Sequence, residues 1–318
     1  MPKKIAFINK AHPILEQKLL ELGYECHAHH DTPKAELEAQ LSNYFGVVMR
    51  SRIPADRTFI DAGSQLKFIA REGVGVEHID VAYAETKGIQ VITSPEGSQD
   101  TVAEHAMAFL LNLLNKVSRA NQQVKSGIWK REANRAVELK GKTVGIIGYG
   151  NMGRAFAQRL SGFDCKVIAY DKYKKNYGDQ YAAAVDLATL QAESDIISLH
   201  VFYEAANHLF VNDAYLSAFK KNIFVINTAR GLVLHTADLV KHLKTGKVQA
   251  AALDVLEYEE QSFAQLNAAT LPEAFTYLTQ SDRVILSPHI AGWSFESKEG
   301  HARVLGEKIA KRFGRENI

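Results

Sequence analysis

Residues 143–153 read Thr143-Val-Gly-Ile-Ile-Gly148-Tyr-Gly150-Asn-Met-Gly153. An apolar run, Val144 to Ile147, leads directly into Gly148-x-Gly150-x-x-Gly153, and a helical pattern follows from Arg154 to Leu160. A second apolar run, Val167 to Tyr170, ends in Asp171. Strand, glycine turn, helix and a second strand closed by an acid form the setting of a dinucleotide-binding turn. Gly148 permits the tight turn, Gly150 lets backbone approach a pyrophosphate, and Gly153 lets the helix pack close to the strand. The helix start then offers unpaired N–H groups to the phosphates. Asp171 lies roughly 20 residues beyond Gly148, the spacing at which an acid meets the adenosine ribose hydroxyls. Its charge repels a 2′-phosphate, so NAD is expected over NADP; Lys172, Lys174 and Lys175 follow at once and soften that choice. A ligand-free glycine turn would need all these flanking features to coincide by chance.

The chain has 318 residues, enough for two domains at roughly 150 residues each. Hydrophobic residues make up 46% and charged residues 23%, the balance of a water-soluble globular protein. A formal net charge of +2 is neutral on polyanion partners, and the absence of any basic block argues against nucleic acid. Cys26 and Cys165 stand far apart with no partner at metal-ligand spacing, so neither a disulfide framework nor a zinc site is expected. Reduced thiols, no signal-peptide pattern and no run of ~20 apolar residues point to a cytoplasmic protein with no membrane partner. His27, His29 and His30 cluster before Asp31-Thr32-Pro33 and read as a solvated loop rather than a metal site.

Strand and helix patterns alternate throughout, which implies parallel α/β sheets. In the first part, Lys4–Ile8, Val47–Arg50, Phe68–Ala70 and Val91–Thr93 read as strands. Pro13–Leu22, Lys34–Leu41 and a stretch after Asp56 read as helices. A long helix follows the loop at residues 94–100. Val102, Ala106, Phe109, Leu110, Leu113, Leu114 and Val117 fall on one stripe of it, suited to a core or a subunit interface. Asp100 or Thr101 can cap it. Later strands are expected at Ile196–His200, Phe224–Asn227, Ala250–Asp254 and Val284–Ser287, with a final helix over about Glu299–Phe313.

Three clusters of reactive side chains fall at the carboxyl ends of these later strands, where open α/β sheets collect their ligands. In Asn227-Thr-Ala-Arg230-Gly231, the guanidinium offers a planar fork suited to a carboxylate and a polarised carbonyl. Asp254 ends a strand and is followed by Glu257, Glu259 and Glu260, any of which can orient a histidine. Ser287-Pro-His289-Ile-Ala-Gly292-Trp293 supplies that histidine, the side chain whose ordinary pKa lies near neutrality. Singly, each reads as a surface Arg, exposed loop acids or a structural His. Together, at the strand ends of a nucleotide fold, they read as an active site.

The ordered set Gly-Tyr-Gly-Asn-Met-Gly, Leu-His-Val, Asn-Thr-Ala-Arg-Gly, Ala-Leu-Asp-Val and Ser-Pro-His-Ile-Ala-Gly-Trp resembles the D-2-hydroxyacid dehydrogenases over nearly the whole chain. Within that family it is most similar to the phosphoglycerate dehydrogenases. The resemblance implies an NAD-dependent oxidoreductase interconverting a D-2-hydroxyacid and its 2-oxoacid. The first substrate expected is 3-phosphoglycerate; glyoxylate, hydroxypyruvate and D-lactate are alternatives, and an NAD-sensing corepressor is a remote one. It implies that Arg230 binds the substrate carboxylate and carbonyl, that His289 is the acid–base and that Glu259 orients it. It places Asp254 on the nicotinamide carboxamide and Asn151 and Met152 at the pyrophosphate. Thr228, Ala229 and the loop from His289 to Gly292 should line the cofactor. In the first domain, Arg71-Glu-Gly73-Val74-Gly75 resembles the family's carboxylate-binding loop, and Arg50-Ser51 its other substrate loop. Gly73 and Gly75 would expose N–H donors to an anion, with Arg50, Arg52 and Arg71 adding charge for a phosphate.

The resemblance further implies a Rossmann NAD-binding domain, residues 99–287, inserted in a discontinuous flavodoxin-like substrate domain, residues 1–98 plus 288–318. It implies a homodimer too. The pattern departs from the family at Glu77-His78, at Phe202 where Pro is usual, and at Glu259, which Glu260 follows in place of Pro. Glu259 is chosen because its spacing from Arg230 fits. Residues 261–283, with Phe263, Leu266, Leu271, Phe275 and Leu278, form a longer segment than the family implies. A helix over the site or against a partner is expected there. The chain's end soon after the last helix implies no regulatory domain.

Overall fold

The computed structural model describes residues 2–259 and 271–314. The chain divides into two compact units, Met1–Ser98 with Trp293–Ile318, and Gln99–Gly292.

The first unit carries, among the described residues, a five-stranded parallel sheet: β1 (Lys4–Phe7), β2 (Glu25–Ala28), β3 (Gly46–Met49), β4 (Phe68–Arg71) and β5 (Gln90–Thr93). Their order, β2-β1-β3-β4-β5, is the flavodoxin-like one. Helices α1 (Pro13–Glu21), α2 (Lys34–Glu38), α3 (Arg57–Ala62) and α4 (Val81–Thr86) connect them. Local chemistry sets the helix starts. Asp56 accepts the Phe59 N–H ahead of α3, and Asp80 accepts the Tyr83 N–H ahead of α4. β3 is buried along its whole length because both faces of a parallel sheet are covered. One face holds Leu37, Leu41, Phe59 and Ile69; the other holds Leu15, Leu19, Phe68 and residues of the C-terminal helix (Phe295–Phe313), including Leu305 and Ile309.

The second unit holds β6 (Thr143–Ile147), β7 (Lys166–Tyr170), β8 (Ala183–Ala184), β9 (Ile196–Leu199), β10 (Ile223–Asn227), β11 (Val248–Leu253) and β12 (Val284–Leu286). Among the described residues they form one parallel sheet in the order β12-β11-β10-β9-β6-β7-β8. The strand order therefore reverses beside β6, the switch point at which doubly wound sheets bind ligands. Its helices are α5 (Gln99–Asn115), α6 (Val117–Lys125), α7 (Asn151–Leu160), α8 (Leu187–Glu193), α9 (Asp213–Ser217), α10 (Thr236–Thr245) and α11 (Glu273–Gln280). The α/β architecture of a Rossmann unit and a flavodoxin-like unit is the one the motifs imply.

Several boundaries and assignments differ from the sequence reading. His27 lies in the edge strand β2, not in a solvated loop, and both His27 and His29 bond the Tyr44 hydroxyl, at 3.1 and 2.6 Å. The edge position hides the strand pattern, since two of its four residues are exposed and the other two only half-buried. The long helix is interrupted at Lys116, whose φ is +55°, so Val117 opens α6 instead of closing the stripe. It starts at Gln99, and Asp100 in its first turn receives Arg159 at 2.8 Å. The rest of the stripe, Ala106, Phe109, Leu110, Leu113 and Leu114, sits in the unit's own core against Phe156 and Leu160 of α7. Deleting a side chain such as Leu110 there costs about 2–5 kcal/mol.

The C-terminal helix begins at Phe295, earlier than expected, because Ser294 and Ser297 cap it reciprocally. The second unit ends at Gly292, five residues later than the sequence boundary at residue 287. The buried carboxylate of Asp254 holds that stretch: it accepts the N–H groups of Ile290 and Ala291, at 2.9 and 2.7 Å. Residues 260–270, with Glu260, Phe263 and Leu266, lie outside the described residues. In α11, Leu278 is buried in the unit's second core and Tyr277 packs beside it, so this helix needs no partner to cover it. Among the described residues, no helix is long and apolar enough to cross a membrane, and no group of His, Cys, Asp and Glu is placed to hold a metal.

Candidate active site

Each glycine of the fingerprint has a distinct environment. Gly148 has φ +93°, and a Cβ there would come within 2.6 Å of the His200 carbonyl at the end of β9. A Cβ on Gly153 would lie 2.1 Å from the Gly148 carbonyl, so only glycine allows α7 to close on the turn. Above Gly150 the space is open, and no side chain caps α7. Its first N–H groups, from Asn151 and Met152 onward, therefore lack an intrahelical partner and are available to an anion.

Asp171 braces this turn. Its Oδ2 accepts the Tyr149 N–H at 2.9 Å, and its Oδ1 accepts the N–H groups of Tyr173 and Lys174, each at 3.0 Å. Four lone-pair positions less three bonds leave one free to accept a ribose hydroxyl. Lys174 donates to the Tyr149 carbonyl at 2.8 Å, so one of the three lysines is spent on the turn. Tyr149, the variable residue between two glycines, is itself buried and donates its hydroxyl to Asp179 at 2.7 Å. Burial and Asp179 push its phenol pKa upward. Sequence reasoning missed this brace; the aromatic residue inside the fingerprint was its signal. Phe202, standing in place of Pro, stacks on Tyr173 at 5.9 Å.

The three reactive clusters follow β10, β11 and β12, which are neighbours in the sheet. Thr228 has its Oγ1 buried without a partner among the described residues, and Ala229 is buried beside it. Arg230 has an extended backbone and donates Nη1 to the Ala229 carbonyl at 2.7 Å; Asn227 holds its carbonyl at 3.0 Å. Gly231 follows because any Cβ would collide with the Leu256 carbonyl. Open space at Gly150, uncapped N–H groups on α7, an acid with one acceptor to spare and the orphaned Thr228 hydroxyl together fit a dinucleotide.

His289 and Glu259 meet directly: Nδ1 lies 2.6 Å from Oε2. The other oxygen of Glu259 accepts the Leu256 N–H, which ties the acid to the turn after β11. Both side chains are mostly buried, with 23% and 12% exposed. His289 has φ +55°, a left-handed backbone unusual outside glycine. Its N–H donates to the Asp254 carbonyl at 2.8 Å, and Asp254 holds the residues that follow. Glu257 accepts the Thr236 N–H at the start of α10, so it is not the acid that faces His289.

Asp254 also has a task that the sequence did not show. Its carboxylate is 1% exposed and takes the Ser287 hydroxyl at 2.5 Å in addition to the two loop N–H groups. These three bonds shape the His289 loop, and of four lone-pair positions one is left over. His105, not singled out from the sequence, completes this anchor: its Nε2 lies 3.2 Å from Ser287 Oγ and 3.7 Å from Asp254 Oδ1.

In the first unit, Gly73 has φ +140°, and the Arg71 guanidinium covers the place of any side chain there. Its N–H does not point outward as expected. It donates to Ser94 Oγ at 3.1 Å. The N–H groups of Val74 and Gly75 find no protein acceptor among the described residues. Arg50 pairs through Nε with the buried Glu72 at 2.7 Å, and Ser51 follows it. Arg52 gives all three guanidinium nitrogens to the carbonyls of Ile8, His29 and Thr32, at 2.7–3.1 Å. That is a structural role, which the sequence did not separate from a phosphate-binding one. His78 sits within this unit too, with burial lowering its pKa to about 4 and the Arg71 charge adding to the shift.

A glycine cradle at a switch point, beside a His–Glu pair and a strand-end Arg, defines a nicotinamide-dependent oxidoreductase. A family model described as D-isomer specific 2-hydroxyacid dehydrogenase, NAD binding domain, matches residues 107–291. Hydroxypyruvate reductase of Thermotoga maritima is 38% identical over 84% of this chain and 84% of its own length. D-3-phosphoglycerate dehydrogenase of Archaeoglobus fulgidus is 34% identical over 94% of this chain, which spans 56% of that protein. The structure of D-lactate dehydrogenase from Aquifex aeolicus, complexed with NAD and lactic acid, is similar at 28% identity. Its TM-score is 0.80, over 99% of this chain and 96% of that one. The chain belongs to the D-isomer-specific 2-hydroxyacid dehydrogenase family, and its cofactor is NAD.

Proposed function

We propose that the protein interconverts a small D-2-hydroxyacid and its 2-oxoacid, with His289, Glu259 and Arg230 as the reacting set. The observation that carries this is the 2.6 Å approach of His289 Nδ1 to Glu259. An Nδ1–H donated to the carboxylate leaves Nε2 for the substrate hydroxyl. In oxidation neutral His289 takes the hydroxyl proton, and in reduction the imidazolium returns it. Glu259 selects the tautomer and stabilises the imidazolium. Arg230 holds the carboxylate and polarises the carbonyl oxygen. When bound, NAD supplies the hydride acceptor or donor for C2.

The first unit bears on which acid is used. We assign the Val74 and Gly75 N–H groups, with Arg50 and Ser51, to substrate binding. A phosphate carries nearly two negative charges, yet Arg52 is spent on carbonyls and Arg50 is balanced by Glu72. This favours hydroxypyruvate or glyoxylate, which bring one carboxylate. The expected 3-phosphohydroxypyruvate is the second reading, supported by the phosphoglycerate dehydrogenase relative. A homodimer in the cytoplasm completes the proposal. Steady-state kcat/KM on hydroxypyruvate, glyoxylate, pyruvate and 3-phosphohydroxypyruvate, each with NADH and NADPH, tests it. A tenfold preference for the phosphorylated acid reverses the order of the two readings. No turnover of any 2-oxoacid overturns the enzymatic one and leaves an NAD-binding protein.

A further inference from the structure

We infer that His301 is a positioning residue for the Gly73–Gly75 loop, acting through Ser94. The inference rests on the proposed substrate role of that loop. His301 lies in the C-terminal helix, buried to 8% exposure, and takes no part in the proposed chemistry. Its Nδ1 is 2.8 Å from the Ser94 carbonyl and 3.0 Å from Ser94 Oγ. Ser94, fully buried at the end of β5, accepts the Gly73 N–H on Oγ, and its own N–H donates to the Gly73 carbonyl at 2.9 Å.

One tautomer satisfies every partner. Nδ1–H donates to the Ser94 carbonyl, leaving Oγ to accept from Gly73. Both polar groups of Gly73 are thus clamped from behind, which turns the next two N–H groups outward as a nest. The seat of His301 is rigid. Gly97, just after Ser94, and Gly300, just before His301, touch backbone to backbone; a Cβ on Gly97 would stand 2.4 Å from the His301 nitrogen. A buried network in which each member is satisfied specifies a single loop geometry, and loss of one member releases the rest. Burial also keeps the imidazole neutral, its pKa lowered to about 4, so the donor tautomer persists at neutral pH.

The test uses the whole protein and the 2-oxoacid it turns over fastest. Ser94→Ala and His301→Leu should each raise KM for the oxoacid about tenfold, the scale of one lost hydrogen bond. Values of kcat should stay within about twofold, and Kd for NADH, read by fluorescence, should not move. His301→Asn, whose amide N–H replaces Nδ1–H, should restore KM. The Ser94→Ala/His301→Leu double variant should be no worse than either single change, since both cut one path. Unchanged KM in both single variants, or a joint fall in kcat and NADH affinity, would overturn the inference. Gly73→Ala separates it from its premise. If that change leaves KM unaltered, the substrate role of the loop itself is wrong. If it raises KM while the Ser94 and His301 variants do not, only the relay is wrong.

Discussion

His289 Nδ1 and Glu259 Oε2 stand 2.6 Å apart, on the turns that follow adjacent strands β12 and β11. Glu259→Gln keeps the shape and removes the charge that favours the imidazolium. We expect kcat to fall by about 10²-fold or more, the scale of acid–base catalysis, with NADH binding intact. His289→Ala should cost at least as much. Single-turnover rates near wild type in either variant would remove the pair from the mechanism.

Arg230 offers a fork that lysine lacks, so Arg230→Lys is not a mild change. We expect kcat/KM for the 2-oxoacid to drop about 10²-fold or more in Arg230→Lys and further in Arg230→Ala. Equal activity of Lys and Arg at this position would mean that only charge is needed.

Gly153→Ala inserts a methyl group 2.1 Å from the Gly148 carbonyl. The helix must retreat from the turn, so NADH affinity should fall at least about tenfold and the melting temperature should drop. A calorimetric titration showing wild-type NADH affinity would refute the packing argument.

The buried His301 ties stability to pH. Its folded pKa is about 4, lowered mainly by burial, while an unfolded chain protonates near 6.5. Between these values the unfolded state binds more protons, so stability falls as pH falls through that window and gains no further change below it. Unfolding free energies from urea titrations should therefore decline from pH 7 to 5, by on the order of 2 kcal/mol for this group. His301→Asn should show a flatter decline. Parallel curves for the two proteins would exclude this origin.

The proposed homodimer needs a surface other than the α5 stripe, which is consumed inside the second unit. Val117 and Val124 on α6 and the following Trp129 are 58%, 52% and 77% exposed. Light scattering should find a dimer at micromolar concentration, and Val124→Lys with Trp129→Lys should yield monomer. A wild-type monomer would discard the proposal.

Much of this site is local in sequence and hence legible there. Gly148, Gly153 and Asp171 report a turn whose geometry depends mostly on neighbours within one strand–helix–strand unit, with the His200 carbonyl the exception. Arg230 and His289 could be singled out because each closely follows a strand pattern, and Glu259 by its spacing from Arg230. What escaped was the use of each polar group. Nothing at Arg52 shows that its donors go to carbonyls of residues 8, 29 and 32. Nothing at Asp254 shows that residues 287–291 claim its carboxylate. The edge strand β2 was missed because half-buried edge residues carry a weak pattern, and the break at Lys116 because its left-handed turn has no glycine to mark it.

The chain's order of apolar runs and glycines was sufficient for two parallel α/β units, a dinucleotide turn and a reactive His, Arg and acid, since periodicity and steric need are written residue by residue. Tertiary structure alone decided which acid faces His289, which N–H groups of the Gly73 loop lack a protein acceptor, and which arginines are committed to carbonyls or to an acid. Those outcomes turn on hydrogen bonds between residues up to some two hundred positions apart, such as Ser94 and His301. A buried donor or acceptor takes whichever partner the fold brings within reach.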